Sequence, residues 1–129
     1  MSQANIDRLI AGTLPDPDGG PALSVPVRAV VVGTGLAEGA VDLIAPLDLG
    51  KRLAVVMDPD TARVLGEAVA HRLADAHAVS RIMLGPHPHP DMPAVLAVME
   101  RARDADGLVA VGSGSINDIT KHVAHLLGR

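Results

Sequence analysis

The chain has 129 residues, enough for one domain with its own core, and its formal net charge of -4 is interspersed along the sequence without a basic face. That balance, with no Phe, Trp or Tyr anywhere, excludes the usual electrostatic and stacking surfaces of nucleic-acid binders. Cysteine is absent too, so disulfides, thiol nucleophiles and cysteine metal sites are excluded.

Nearly half of the residues are apolar, and the core has to be assembled from Ala, Val, Leu, Ile and Met. Each of these removes less area from water than an aromatic ring, so stability must come from many modest contacts at roughly 25 cal/mol per Å² buried. No apolar run approaches the ~18 residues expected of a membrane-spanning helix. Met1 to Ile10 carries Asp7 and Arg8 and lacks the basic start and apolar stretch of a secretory signal, so the expected location is the cytoplasm.

In chain order, Asn5 to Ile10 reads as a short helical piece with Ile6, Leu9 and Ile10 on one side. Ala11 to Pro26 holds four prolines and three glycines, which deny backbone donors and raise the cost of ordering, so residues 1–26 are expected to form a helical piece and an arm. The folded α/β domain is expected over 27–129. Arg28 to Val32 predicts a strand, followed by the turn Gly33-Thr34-Gly35 and a helix over Leu36 to Leu49 that breaks near Pro46. Leu53 to Met57 predicts the second strand. Asp58 and Pro59 then start a helix that runs to about Ala76, with Leu65, Val69, Leu73 and Ala76 as its inward stripe.

Arg81 to Leu84 predicts a third strand, Gly85 to Pro90 a loop, and Asp91 to Arg103 a helix whose apolar side is Val95, Leu96, Val98 and Met99. Gly107 to Val111 is a valine-rich run that reads as a buried strand, and Ile116 to Leu127 has helical apolar spacing. Strand and helix thus alternate four times. That is the pattern of a parallel sheet covered on both faces, a Rossmann-like doubly wound, three-layer α/β fold with ligands at the strands' C-terminal edge.

Between the last strand and helix lies Gly112-Ser113-Gly114-Ser115. A helix begins with unpaired N–H groups and a positive dipole end, and glycines without Cβ let a phosphate approach them. Ser113 and Ser115 add hydroxyl donors. A tight strand-to-helix turn that needs glycine only for its backbone is the plainer reading of the same residues. Gly33-Thr34-Gly35 has no specific polar partner nearby and reads more simply as a turn. Asp58 serves either as the helix cap or as a carboxylate at a strand's C-terminal end that accepts from an adenosine ribose.

The string Val111-Gly-Ser-Gly-Ser-Ile-Asn-Asp-Ile-Thr-Lys121 resembles the glycine motif of sn-glycerol-1-phosphate dehydrogenases, relatives of glycerol dehydrogenase, iron-containing alcohol dehydrogenase and dehydroquinate synthase. The likeness extends beyond the glycines into Ile116, Asn117, Asp118, Thr120 and Lys121. It departs from the ordinary dinucleotide fingerprint, because the best glycine turn lies in the last strand–helix unit and Asn117 stands at the third-glycine position.

The resemblance implies a nicotinamide dinucleotide, NAD or NADP, with its pyrophosphate on Gly112, Ser113, Gly114 and Ser115. It places the adenosine ribose at Asp58, a carboxylate that favours NAD. It also places Asp118 and Lys121 toward a polyol phosphate, though on one helix face these two can simply pair with each other. The implied chemistry is hydride transfer between dihydroxyacetone phosphate and glycerol 1-phosphate, with a zinc-like divalent metal polarising the reacting oxygen.

In that family the metal ligands follow the glycine motif, largely in a helical C-terminal domain. This sequence reads as the dinucleotide-binding domain without that part, completed in a longer chain or by a partner that supplies it, and exposed apolar surface would then favour self-association. His87 and His89 sit among prolines expected to keep the segment extended and the two rings apart. His122 and His125 share a helix face without an evident third ligand, and none of the four is assigned to a metal. Two other readings stand beside the dehydrogenase: a non-catalytic nucleotide-binding module, and a phosphosugar-binding α/β domain in which Ser113 and Ser115 hold the phosphate.

Overall fold

In the computed structural model, which describes residues 1–129, the chain divides into two compact units, Met1–Thr34 and Gly35–Arg129. The first holds helix α1 (Gln3–Ile10), with Ser2 as its N-cap accepting from the Asn5 N–H. A left-handed Gly12 follows, and then an irregular segment closed by a single antiparallel bridge between Leu14 and Leu23. Arg28 to Val32 does not form the expected strand. Val30, Val31 and Val32 are 43%, 53% and 85% exposed. β-branched residues favour extended backbone, but a strand also needs a ladder with a neighbour, and no strand ladder forms over these residues.

The second unit carries the fold. After a left-handed turn at Gly35, helix α2 (Ala40–Ile44) continues into a tighter 3₁₀ turn (Ala45–Leu47) at Pro46, where the break was expected. Three parallel strands follow, β1 (Arg52–Met57), β2 (Ala78–Met83) and β3 (Gly107–Ala110), in the spatial order β2-β1-β3. The expected alternation is therefore realised three times rather than four. Arg52 pairs with Ala78 and Met57 with Met83 on one side of β1, while Leu53 pairs with Gly107 and Val56 with Ala110 on the other.

β1 is central and covered on both faces, so its sequence is a continuous apolar run. Ala54 and Val56 point into one core with Ile82, α5 (Met92–Arg101) and α6 (Gly114–Leu127), through Val95, Val98, Ile116, Ile119 and Val123. Leu53, Val55 and Met57 point the other way, against Ala40 of α2 and the helices between β1 and β2, through Ala62, Val69, Ala70 and Leu73. The result is the three-layer, Rossmann-like sheet that the sequence predicts.

The helical stretch after β1 is not uniform. It begins as α3 (Pro59–Thr61), widens to a π turn over Ala62–Gly66, and returns to α-helix as α4 (Glu67–Leu73). The wider turn shifts the phase of what precedes it, so Leu65, expected on the inward stripe, is 43% exposed. Ala62 and Gly66 face the sheet instead, and Gly66 has no room for a side chain, since a Cβ there would lie 2.5 Å from the Met57 sulfur. The helix ends at Leu73, so Ala76 lies beyond it.

At the opposite, N-terminal edge of the sheet, the Asp106 carboxylate ties β1 to the turn before β3. Its Oδ2 accepts from the Lys51 and Arg52 N–H groups at 3.0 and 2.9 Å, and its Oδ1 accepts from the Arg52 guanidinium at 2.7 Å. The side-chain hydrogen bond from Arg52, followed by the Arg52 backbone N–H, holds the Asp106 carboxyl well below the usual carboxylate range.

Candidate functional site

Neighbouring strands β1 and β3 send their helices to opposite faces: the chain leaves β1 through α3 and α4, and leaves β3 through α6. Between the two C-terminal ends the layers part and leave a crevice, the position where open α/β sheets bind ligands. A cleft of ≈ 280 Å³ lies there, lined by Asp60, Thr61, Val64 and Leu65 after β1, and by Val111 and Gly112 after β3.

The β3 side is the glycine turn. Val111 extends the ladder by donating to Val56 O at 2.9 Å, and α6 starts at Gly114 with Ser113 as N-cap. The two glycines differ. At Gly112 a Cβ would collide with the buried Ile116 side chain, so that glycine is required by packing. At Gly114 a Cβ would meet nothing within 4 Å and φ is not positive, so the fold itself does not require glycine there. Ser113 makes no side-chain cap hydrogen bond at the start of the 14-residue α6, and Gly112, Ser113 and Gly114 are exposed. This open, donor-rich turn suits an anionic group approaching closely.

α6 is held rigidly behind the turn. Ile116, Ile119, Thr120 and Val123 repeat at helical spacing on its buried face, and the Thr120 hydroxyl donates to Ile116 O at 2.7 Å. Asp118 and Lys121 are on the solvent side, 57% and 73% exposed by side chain, with Nζ 3.7 Å from Oδ1. They form the mutual pair that their spacing allows, outside the residues that line the cleft.

On the β1 side, Asp58 is only 9% exposed and works as a helix cap. Its Oδ1 accepts from the Thr61 N–H at 2.8 Å while its own N–H donates to Thr61 Oγ1 at 3.0 Å, a reciprocal capping box. The carboxylate that lines the cleft is Asp60, whose Oδ1 stands 3.6 Å from Arg63. Asp60, Thr61, Val64 and Leu65 escape a reading by apolar periodicity, because the π turn places Val64 and Leu65 on the cleft wall at positions an unbroken α-helix would distribute differently.

A family model described as iron-containing alcohol dehydrogenase matches residues 31–129. The chain belongs to that family. The unit containing the cleft is thus a dehydrogenase-type nucleotide-binding domain of the iron-containing alcohol dehydrogenase family. Neither curated proteins nor solved structures give a significant match to the chain.

The family's metal finds no fit among these side chains: no three of His, Asp or Glu converge so as to hold an ion. His87 departs from the expected extended loop, with φ 49, and it lines a different cleft of ≈ 430 Å³ together with His89 and Asp91 beside α5. Asp91 there is occupied as the cap of α5, accepting from the Ala94 N–H at 3.0 Å. No helix is long and apolar enough to cross a membrane.

Proposed function

We propose that this chain binds a nicotinamide dinucleotide, NAD in preference to NADP, across the crevice between β1 and β3. The observation that carries the reading is Gly114: a glycine at the mouth of a helix, required neither by φ nor by packing, in a family of dehydrogenases. In this reading the pyrophosphate lies on Gly112, Ser113, Gly114 and Ser115, where backbone N–H groups and two hydroxyls donate to it. The apolar walls of Val64, Leu65 and Val111 accept the adenine. The second oxygen of Asp58 is left for the ribose, since Oδ1 is committed to the cap.

The bound nicotinamide supplies hydride exchange with a carbonyl or alcohol carbon. The chain's own contribution is to fix the dinucleotide at the sheet edge and to present α6 toward the substrate. We assign dihydroxyacetone phosphate and glycerol 1-phosphate as the substrate pair. Asp118 accepts from a hydroxyl, and Lys121 leaves its 3.7 Å contact with Asp118 to meet the phosphate. Because the residues here do not converge on a metal, no step is assigned through one.

Calorimetric titration of the purified chain with NAD, NADP and their reduced forms tests the reading. It expects saturable binding that is lost on Gly114→Asp, with the helical signal unchanged. Folded wild-type protein that binds none of them would overturn it.

A further inference from the structure

Resting on the nucleotide reading of the crevice, we propose that the surface pair Asp60–Arg63, rather than the strand-end acid alone, sets how far this site discriminates against a 2′-phosphorylated dinucleotide. Three observations place the pair in that role. Asp60 lines the cleft whereas Asp58 does not. Asp58 is buried and has one carboxylate oxygen committed to the Thr61 N–H, so its reach into the cleft is restricted. Asp60 and Arg63 are 72% and 79% exposed by side chain and touch at 3.6 Å, a loose contact that a competing anion can open.

The two charges act in opposite senses. The Asp60 carboxylate, beside the ribose that Asp58 accepts from, repels a phosphate on that ribose, while the Arg63 guanidinium, paired with Asp60, is a phosphate donor in waiting. Arg63 stands three residues after Asp60, a spacing that brings the two side chains together on the exposed helix surface. Removing Asp60 therefore does two things at once: it deletes the repulsion and frees the guanidinium.

The test compares dissociation constants of NAD and NADP for wild-type chain, Asp60→Asn and Arg63→Gln at low and high salt, with thermal unfolding followed by circular dichroism. Both side chains are exposed and neither caps a helix, so unfolding temperatures should match the wild type. Asp60→Asn is expected to tighten NADP by roughly fivefold and Arg63→Gln to weaken it roughly threefold, the size of one surface charge contact, with NAD changed less in each case. The shifts should shrink in high salt. NAD binding with an NAD-to-NADP ratio indifferent to both substitutions overturns this inference and leaves the site reading standing. Failure of folded wild-type chain to bind either dinucleotide overturns both.

Discussion

The two glycines of the β3–α6 turn give opposite responses to the same added methyl. At position 112 alanine would push its Cβ into Ile116, whose Cβ and Cγ1 would be 3.2 Å away and whose side chain is wholly buried between β1 and α5. Ile116 belongs to the buried core that also holds Val95 and Val98, so Gly112→Ala is expected to cost about 1–3 kcal/mol, the range for overpacking a filled core. At position 114 the same methyl meets nothing within 4 Å, and alanine is the better helix former by up to ~1 kcal/mol, so stability should be unchanged or slightly higher. In the binding assay the order reverses: the methyl at 114 occupies the approach of the pyrophosphate and should weaken NAD about tenfold or more. Urea unfolding followed by far-UV circular dichroism reads the stability, because the chain has no Trp or Tyr for fluorescence. Gly114→Ala that unfolds as early as Gly112→Ala, or that binds NAD like the wild type, would refute the separation of a packing glycine from a binding glycine.

Other substitutions probe the frame around the site. Asp58→Ala removes the capping box at the start of α3 and should cost about 0.5–2 kcal/mol in urea unfolding. Gly66→Ala brings a Cβ to 2.5 Å from the Met57 sulfur and 3.3 Å from Thr61 O, so a loss of about 1–3 kcal/mol is expected, with the loss of NAD affinity following from a displaced π turn. Asp106 has its folded-state pKa depressed by Arg52, so its stabilisation is fully present above the ordinary aspartate value near 3.9 and is lost as pH falls through the lower folded value. Acid titration of stability should accordingly show a limb that Asp106→Asn flattens, while NAD binding at neutral pH stays as it was.

β1, β3 and α6 of the second unit were legible because each keeps one apolar pattern along its length, whereas β2 begins at Ala78, three residues before the expected Arg81. β1 is apolar on both faces since both are covered, and α6 repeats Ile116, Ile119 and Val123 at helical spacing. The glycine motif pointed to the family. What failed did so for physical reasons. Val30 to Val32 carry strong β propensity, yet pairing is a tertiary event that propensity does not contain. Leu65 fitted an inward stripe with Val69 by spacing alone, and the π turn that rotates it outward leaves no mark in apolar periodicity. The cleft wall was invisible for the same reason. Both uses of Asp58 were visible in the sequence, and the capping box shows that one oxygen is committed to the first of them.

The most direct test of the central claim is to locate the dinucleotide by backbone amide chemical-shift perturbation during NAD titration. The crevice account predicts the largest shifts at Val111–Ile116 and Thr61–Leu65, the two sides of the β1–β3 opening. Shifts concentrated instead around Gly85–Asp91, along the larger cleft beside α5, would contradict it.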